Sequence, residues 1–257
     1  MASVDNKTQV QAQFGAHAHL YTTSTVHARG DSLARLLELA RPQAHHLVLD
    51  IATAVGHNAL SFAPHVQHVI GLDLTPQMLP EARRLAQQRQ IHNVSFSQGD
   101  AENLPFADHS FAIVACRIAP HHFPNVARAV QEMARVCQPG GCVAICDNVT
   151  PEILDAAAYI NAFEMRRDPS HHWAYSLAEW RQFVQQAGLT LEVEETLPKP
   201  MHFASWAARM SVPEEVVEEL RQELFNAPTL VRDYWKPRVQ EQEVYFDLTE
   251  GLFIGRK

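Results

Sequence analysis

The chain has 257 residues, of which 46% are hydrophobic and 19% are charged. This is the balance of a globular protein, and it excludes disordered and low-complexity classes. The length fits one α/β domain with additions. The net charge of −8, without any cluster of Lys and Arg, argues against a sequence-independent grip on phosphate backbones, so we expect no nucleic-acid partner.

The hydropathy pattern argues against secretion and against a membrane location. The first 13 residues are polar and lack the apolar stretch of a secretory signal. Apolar runs such as residues 111–116 are far shorter than the ~20 residues that span a bilayer. We therefore expect a soluble, cytoplasmic protein. No CxxC pair is formed by the four cysteines, which we expect to be reduced core thiols: Cys116, Cys137, Cys142 and Cys146.

Short apolar runs alternate with helix-length segments from residue 46 to about residue 150. The runs are HLVLDI, HVIGLDL, NVSFSQ, FAIVAC and CVAIC. This alternation is typical of βαβ units. Two further strand-like runs near the end of the chain, residues 189–195 and 244–255, indicate a hairpin-like closure. The sequence thus predicts an α/β fold with a doubly wound, mostly parallel sheet of seven strands.

Two helical additions flank this core. Residues 1–43 precede the first strand and carry two helical stretches, which we interpret as an N-terminal cap. Residues 44–150 form the expected cofactor-binding core, and residues 151–257 hold lid helices and the C-terminal strands. The lid helices are expected in residues 150–187 and in part of residues 198–240. Both additions should lie over the carboxyl edge of the sheet, where such folds bind ligands.

The segment after the first strand carries the first chemical signal. Asp50 opens the run DIATAVGHN, and a second acid, Asp73, follows 23 positions later. A strand-to-helix turn with a carboxylate about 20 residues further on is how such sheets hold an adenosine-containing ligand. The loop has one glycine, so it matches neither the dinucleotide GxGxxG motif nor the phosphate-binding GxxxxGK[ST] motif.

An ordered set of motifs then identifies a family resemblance. The motifs are LVLDIATAVGHNAL, GLDLTPQMLPEAR, GDAENLPF, VACRIAPHHF and ARAVQEMARVCQPGG. In this order and spacing they resemble the class I S-adenosylmethionine-dependent methyltransferases, in particular the small-molecule branch with quinone-pathway and sugar O-methyltransferases. The resemblance covers residues 45–150 strongly and residues 150–195 more weakly. It implies a Rossmann-like fold, S-adenosyl-L-methionine as cofactor, and a small organic acceptor methylated on oxygen rather than carbon or nitrogen.

The resemblance also implies roles for individual residues. Asp50 and the loop from Ala52 to Gly56 would meet the methionine moiety, and Asp73 the ribose hydroxyls. Leu74 and Met78 would lie beside the adenine, and Asp100 and Ala101 would meet its exocyclic amine and ring. Arg117 would lie near the sulfonium, and Asn58 of the loop segment would also bind the cofactor. Tyr21, with Phe14 and His27, would close over the cofactor from the cap.

The glycine loop departs from the family pattern. The usual Asp-x-Gly-x-Gly-x-Gly is here Asp50-x-Ala52-x-Ala54-x-Gly56. Alanine at a position with positive φ costs roughly 1–2 kcal/mol, and its Cβ can crowd a ligand. We expect cofactor binding to be retained. Two alternatives stay open: a binding or regulatory module that has lost methyl transfer, and a non-methylating enzyme on the same scaffold.

Methylation of a hydroxyl needs a base to remove its proton. His121 and His122 follow the fourth strand, and Asp147 ends the fifth. These strands are neighbours in the expected fold, so an imidazole and an orienting carboxylate can meet there, as in similar O-methyltransferases. We prefer His121 as the base. Packing of His122 under the next helix and turn capping by Asp147 are the competing interpretations.

The histidines and the lid invite two further hypotheses. There are fifteen histidines, but without HExxH or Cys/His spacing we expect no dedicated metal site. Several lid residues could bind a substrate carboxylate or line the site of an acceptor ring: Arg166, Arg167, His171, Trp173 and Tyr175. Solvated charge and ordinary helix packing are the alternatives for each. The acidic stretch from Glu214 to Glu223 is interpreted as a solvated helix face.

Overall fold

The computed structural model describes residues 2–22, 30–210 and 212–257. Its strands are β1 (Leu47–Ile51), β2 (His68–Asp73), β3 (Val94–Gln98), β4 (Phe111–Arg117), β5 (Cys137–Asn148), β6 (Thr190–His202), β7 (Arg238–Gln240) and β8 (Glu243–Arg256). The sheet order is β3-β2-β1-β4-β5-β8-β6, and the short β7 pairs with β8 outside this path. The predicted doubly wound sheet is confirmed, with seven strands in the main path and β7 as an unpredicted eighth.

Strands β1 to β5 pair in parallel, whereas β8 runs antiparallel to both β5 and β6. The chain leaves β1 toward β2 and β3 and then returns to the other side of β1 with β4. This reversal opens a crevice at the carboxyl ends of β1 and β4. The segments that follow β1, β2, β3 and β4 all emerge at that edge.

The helices are α1 (Ala2–Tyr21), α2 (Asp31–Ala40), α3 (His57–Phe62), α4 (Met78–Gln88), α5 (Val126–Val136), α6 (Leu154–Arg167), α7 (Leu177–Gln186), α8 (Phe203–Ala208), α9 (Glu214–Asn226) and α10 (Thr229–Trp235). The two expected N-terminal helices are α1 and α2. Asn125 caps α5 by accepting a hydrogen bond from the N–H of Arg128, and Ser176 with Glu179 forms a capping box on α7.

A long two-stranded arm carries most of the lid. The pairing of β5 with β8 ends at Asn148 and Glu250, while β6 and β8 stay paired as far as His202 and Tyr245. The arm therefore projects beyond the carboxyl edge of the sheet. A separate apolar cluster joins it to α6, α8, α9 and α10, with Trp206, Trp235 and Phe246 at its centre.

One part of the predicted lid packs elsewhere. Helix α7 lies on the face of the sheet, where Trp180 is fully buried and stacks on Phe253 at 5.3 Å. Val184 belongs to the same core cluster. The lid assignment is therefore wrong for residues 177–186, because the apolar side of α7 matches the sheet face and is covered by it.

All four cysteines are free and buried, as expected. Among residues 2–22, 30–210 and 212–257, no helix is both long enough and apolar enough to cross a bilayer.

Candidate active site

A large cavity opens at the carboxyl edge of the sheet, between the core, α1 and the lid. Its empty volume, including the solvent at its open mouth, is about 1500 Å³. The expected cofactor residues on its wall are Tyr21, Asp50, Ala52, Asn58, Asp73, Leu74, Met78, Asp100, Ala101 and Arg117. The structure thus brings together all but one of the residues assigned to the cofactor.

The exception is Gly56, which does not line the cavity. Its φ is +88°, and a Cβ there would lie 3.0 Å from the ring of Phe96. Glycine is required at this position by the left-handed backbone and by close packing against Phe96. The position therefore serves the geometry of the loop, and the ligand-facing role that the motif suggested is not supported.

The loop after β1 adopts a glycine-like conformation without the glycines. Ala52 has φ 52° and Ala54 has φ 48°, so both alanines lie in the strained left-handed region, as the sequence indicated. Ile118, which follows Arg117 on the same cavity wall, has φ 54° although it is β-branched. The N–H of Ile118 is held by the carbonyl of Cys146 at 2.8 Å. Such strain is retained where the surrounding structure imposes it.

Two buried carboxylates hold this loop. Asp50 accepts hydrogen bonds from Thr53 Oγ1 at 2.5 Å and from Asn58 Nδ2 at 2.6 Å. Asp73 accepts from the N–H of Ala54 at 2.7 Å and from the N–H of Thr75 at 2.8 Å. Burial raises the pKa of both acids to about 6. The two carboxylates connect the carboxyl ends of β1 and β2 to the loop between β1 and α3.

Asp100 is bonded to the N-terminal helix. Lys7 Nζ lies 2.7 Å from Asp100 Oδ2 and 2.7 Å from Glu102 Oε2. Gln11 adds a hydrogen bond to the carbonyl of Leu74 at 2.9 Å. These contacts hold helix α1 against the segments that follow β2 and β3 on the cavity wall. Nothing in the local sequence around Asp100 pointed to Lys7.

The cap also supplies aromatic side chains. Phe14 and Tyr21 line the cavity, with ring centroids 5.6 Å apart, and Phe14 meets the edge of His122 at 5.0 Å. His27 lies outside the described residues. The Arg117 guanidinium donates to Ser32, whose Oγ accepts from Nε and Nη2 at 3.2 and 3.0 Å.

His121 and Asp147 form a buried pair. Nδ1 of His121 lies 2.6 Å from Oδ1 of Asp147, and Oδ2 accepts from the backbone N–H of His121 at 2.7 Å. An ionised carboxylate only accepts hydrogen bonds, so Nδ1 carries the proton and Nε2 keeps its lone pair. His121 lines the cavity, and Asp147 lies behind it. Burial lowers the pKa of His121 well below its ordinary value, and the neighbouring His122 lowers it further.

Two more histidines pack against His121. Its ring centroid lies 4.2 Å from that of His122 and 5.4 Å from that of His171. His122 Nδ1 donates to the carbonyl of Ser170 at 3.0 Å. His171 Nε2 donates to Asn161 Oδ1 at 2.7 Å, and that oxygen also accepts from the N–H of Ala174. Each ring is thus fixed in one orientation. In the described part of the chain, no group of three His, Cys, Asp or Glu side chains has the geometry to hold a metal ion.

The lid residues singled out from the sequence divide between the cavity and other surroundings. Arg167 lines the cavity. Arg166 instead forms ion pairs with Glu219 and Glu223 on α9. These two acids link helices and still face solvent, as predicted for the acidic face of this helix. Tyr175 packs against Trp180 and Phe183 in the core, away from the cavity, and Trp173 is half-buried outside it.

Several cavity residues were not anticipated. They are Lys7, Val10, Glu164, Asp168, Lys199, Met201, Trp206, Arg209, Met210 and Leu248. Most lie on the lid helices and the β6–β8 arm. Sequence periodicity places such residues on a helix or strand but does not tell which of them meet across a cavity.

The comparisons with known proteins agree with this architecture. A family model described as "Methyltransferase domain" matches residues 48–141. The uncharacterized methyltransferase YcgJ of Bacillus subtilis (strain 168) is 36% identical over 249 residues, which are 96% of this chain and 98% of that protein. The crystal structure of YcgJ superimposes with a TM-score of 0.84 and covers 88% of this chain and 97% of its own.

Two further proteins extend the comparison. A crystal structure of a Bacillus halodurans C-125 protein, described as a putative methyltransferase, is 38% identical with a TM-score of 0.84 and covers 89% of this chain and 99% of its own. The demethylmenaquinone methyltransferase of Chlorobaculum parvum (strain DSM 263 / NCIMB 8327) is 39% identical over 106 residues, which are 40% of this chain and 42% of that protein.

Proposed function

The chain belongs to the class I S-adenosylmethionine-dependent methyltransferases, and we propose that it transfers the methyl group of S-adenosylmethionine to a hydroxyl of a small organic acceptor. The observation that carries this proposal is the position of the His121–Asp147 pair. His121 lines the same cavity as the loop of residues 50–58 and Asp73. The residues proposed to bind the nucleoside and the proposed base for the acceptor thus line the same cavity.

The residues present fit the cofactor. Asp73 ends β2 at the position of the ribose-binding acid in such sheets, and its Oδ2 is already aimed at the loop. Asn58 Oδ1 is buried on the cavity wall without a hydrogen-bond partner among the described residues. Met78, Leu74 and Ala101 form an apolar slot suited to a flat ring. Ala52 and Ala54 present methyl groups to the cavity, yet their backbone already has the conformation that glycine would adopt.

S-adenosylmethionine, when bound, supplies a methyl group on a positively charged sulfur, and the acceptor oxygen takes the carbon as the C–S bond breaks toward sulfur. The chain must align the acceptor oxygen and remove its proton. His121 is suited to the second task because Asp147 holds the proton on Nδ1 and leaves Nε2 free to accept one. Burial keeps the imidazole neutral, so the base is present in its active form.

A binding or regulatory role without methyl transfer is favoured by one observation, the two cavity-facing methyl groups of Ala52 and Ala54. Calorimetric titration with S-adenosylhomocysteine and transfer of a labelled methyl group to a panel of phenols and hydroxyquinones separate the two functions. We expect binding and label transfer that depends on His121. Binding without transfer to any acceptor would favour the regulatory role, and absence of nucleoside binding would contradict both.

A further inference from the structure

The lid wall of the cavity carries three cations: Arg167, Lys199 and Arg209. Two have carboxylate partners. Lys199 Nζ lies 2.8 Å from Glu250 Oε1. Arg167 Nη2 lies 3.2 Å from Glu164 Oε2 and 3.9 Å from Asp168 Oδ2. Each of these cations is therefore at least partly neutralised by the protein itself.

Arg209 differs from the other two. Within the described part of the chain, its guanidinium forms no hydrogen bond and no ion pair, although it is half-buried on the cavity wall. Burial lowers its pKa from the ordinary value, and the like charge of Arg167 lowers it further. Tyr21 and Glu164 offset this lowering of the pKa only in part, and a partly desolvated guanidinium beside a second one is stabilised when an anion reaches it.

Arg167 is the second arginine of this wall. Its guanidinium lies over the ring of Trp206 at 4.7 Å, and Nη1 donates to the Trp206 carbonyl at 3.4 Å. These contacts fix the side chain, while the buried Nε has no hydrogen-bond partner among the described residues. Arg167 is thereby held in place on the cavity wall, where its positive charge lies beside Arg209.

From these contacts we propose that the lid wall binds an anionic group of the acceptor, a carboxylate or a phosphate, with Arg209 as the principal contact and the guanidinium of Arg167 beside it. This inference rests on the proposed function, since it concerns the acceptor that His121 would deprotonate. Guanidinium groups recognise both oxyanions through parallel N–H donors.

The two acids of the wall restrict where the anion can sit. Glu164 Oε1 and Asp168 Oδ2 are buried and have no hydrogen-bond partner in the described chain. Both would repel an anion, so the oxyanion is confined to the side of Arg209. The acceptor is then held at one end by the lid, while its hydroxyl reaches His121 at the sheet edge.

The test compares three small aromatic probes that differ in charge. Benzoate, phenyl phosphate and the uncharged benzamide are titrated calorimetrically into the protein saturated with S-adenosylhomocysteine. We expect at least one anion to bind about tenfold or more tightly than benzamide. The tighter of the two anions identifies the group. Equal affinities for all three probes, or no binding of either anion at millimolar concentration, would overturn the inference without any variant being made.

A variant locates the contact. In Arg209→Gln the ratio of the anion affinity to the benzamide affinity should fall to near one. Arg221→Gln, which removes an exposed arginine of α9, should keep the wild-type ratio. Thermal unfolding shows that both variants are folded. An unchanged preference in Arg209→Gln would refute the role of Arg209. S-adenosylhomocysteine affinity is measured separately, so loss of nucleoside binding reports failure of the proposed function, and intact nucleoside binding without anion preference reports failure of this inference alone.

Discussion

Asp147 holds His121 at two points: Oδ1 meets Nδ1 of the imidazole at 2.6 Å, and Oδ2 meets the backbone N–H of the same residue at 2.7 Å. Turning the ring over would break the first bond, and moving the backbone of His121 away from Asp147 would break the second. Since Asp147 is fully buried behind the ring, the carboxylate acts on the cavity only through His121. The pair has the arrangement of an oriented general base.

Replacing the proposed base should affect turnover and spare binding. In His121→Ala we expect kcat to fall by about 10²–10⁴-fold, while S-adenosylhomocysteine affinity stays near the wild-type value. The matched control is His92→Ala, which removes an exposed histidine away from the cavity. Label transfer measures kcat, and calorimetry measures affinity. An unchanged kcat in His121→Ala would remove this residue from the mechanism.

The pH dependence of the activity should follow the ionisation of Asp147. Burial raises the pKa of Asp147 to about 7 and lowers that of His121 well below its ordinary value. Activity needs Asp147 ionised and His121 neutral, so it should be about half of its maximum near pH 7, approach the maximum as the pH rises above that value, and fall further as the pH drops below it. The measurement is kcat/KM as a function of pH. In Asp147→Asn we expect a low rate without this acidic limb, and a limb that persists unchanged would assign it to another group.

Restoring the loop glycines should change stability more than affinity. Ala52→Gly and Ala54→Gly relieve a left-handed conformation that costs about 1–2 kcal/mol per alanine, offset in part by the greater unfolded-state freedom of glycine. We expect a free energy of unfolding equal to or above the wild type in urea titrations. The control Ala112→Gly lies inside β4 and should lose about 0.5–1 kcal/mol.

Nucleoside affinity in the same glycine variants tests the loop directly. Because the backbone already has the glycine-like conformation, S-adenosylhomocysteine affinity should change little. A large gain in affinity would show that the two methyl groups crowd the ligand, and would favour the non-methylating alternatives.

Lys7 should control how firmly α1 is held against the cavity wall. Lys7→Gln removes both ion pairs to Asp100 and Glu102, which are only partly exposed to solvent. We expect faster amide hydrogen exchange in residues 6–18 and little change in residues 31–40, because Lys7 holds only the first helix. Arg84→Gln, which breaks an exposed pair within α4, is the control. Equal exchange in wild type and Lys7→Gln would show that other contacts hold α1.

The sequence by itself determined the doubly wound, mostly parallel character of the sheet core, the buried free cysteines and the residues of the proposed nucleoside site. Short apolar runs that alternate with helix-length segments indicate parallel strands, because the strands of a parallel sheet are covered on both faces. The family motifs then placed Asp50 and Asp73 at neighbouring strand ends, and strand adjacency brought His121 to Asp147. The left-handed φ of Ala52 and Ala54 followed from the same motif.

Tertiary structure alone decided the rest of the cavity. Lys7 meets Asp100 across 93 positions of sequence, and Arg209 reaches the wall only because α8 follows an arm that extends beyond the sheet. Gly56 faces Phe96 of a neighbouring strand, and no motif encodes that packing. Periodicity specifies which side of an element is buried. Which distant elements share a cavity depends on how long strands extend and how helices pack, and these are properties of the assembled chain.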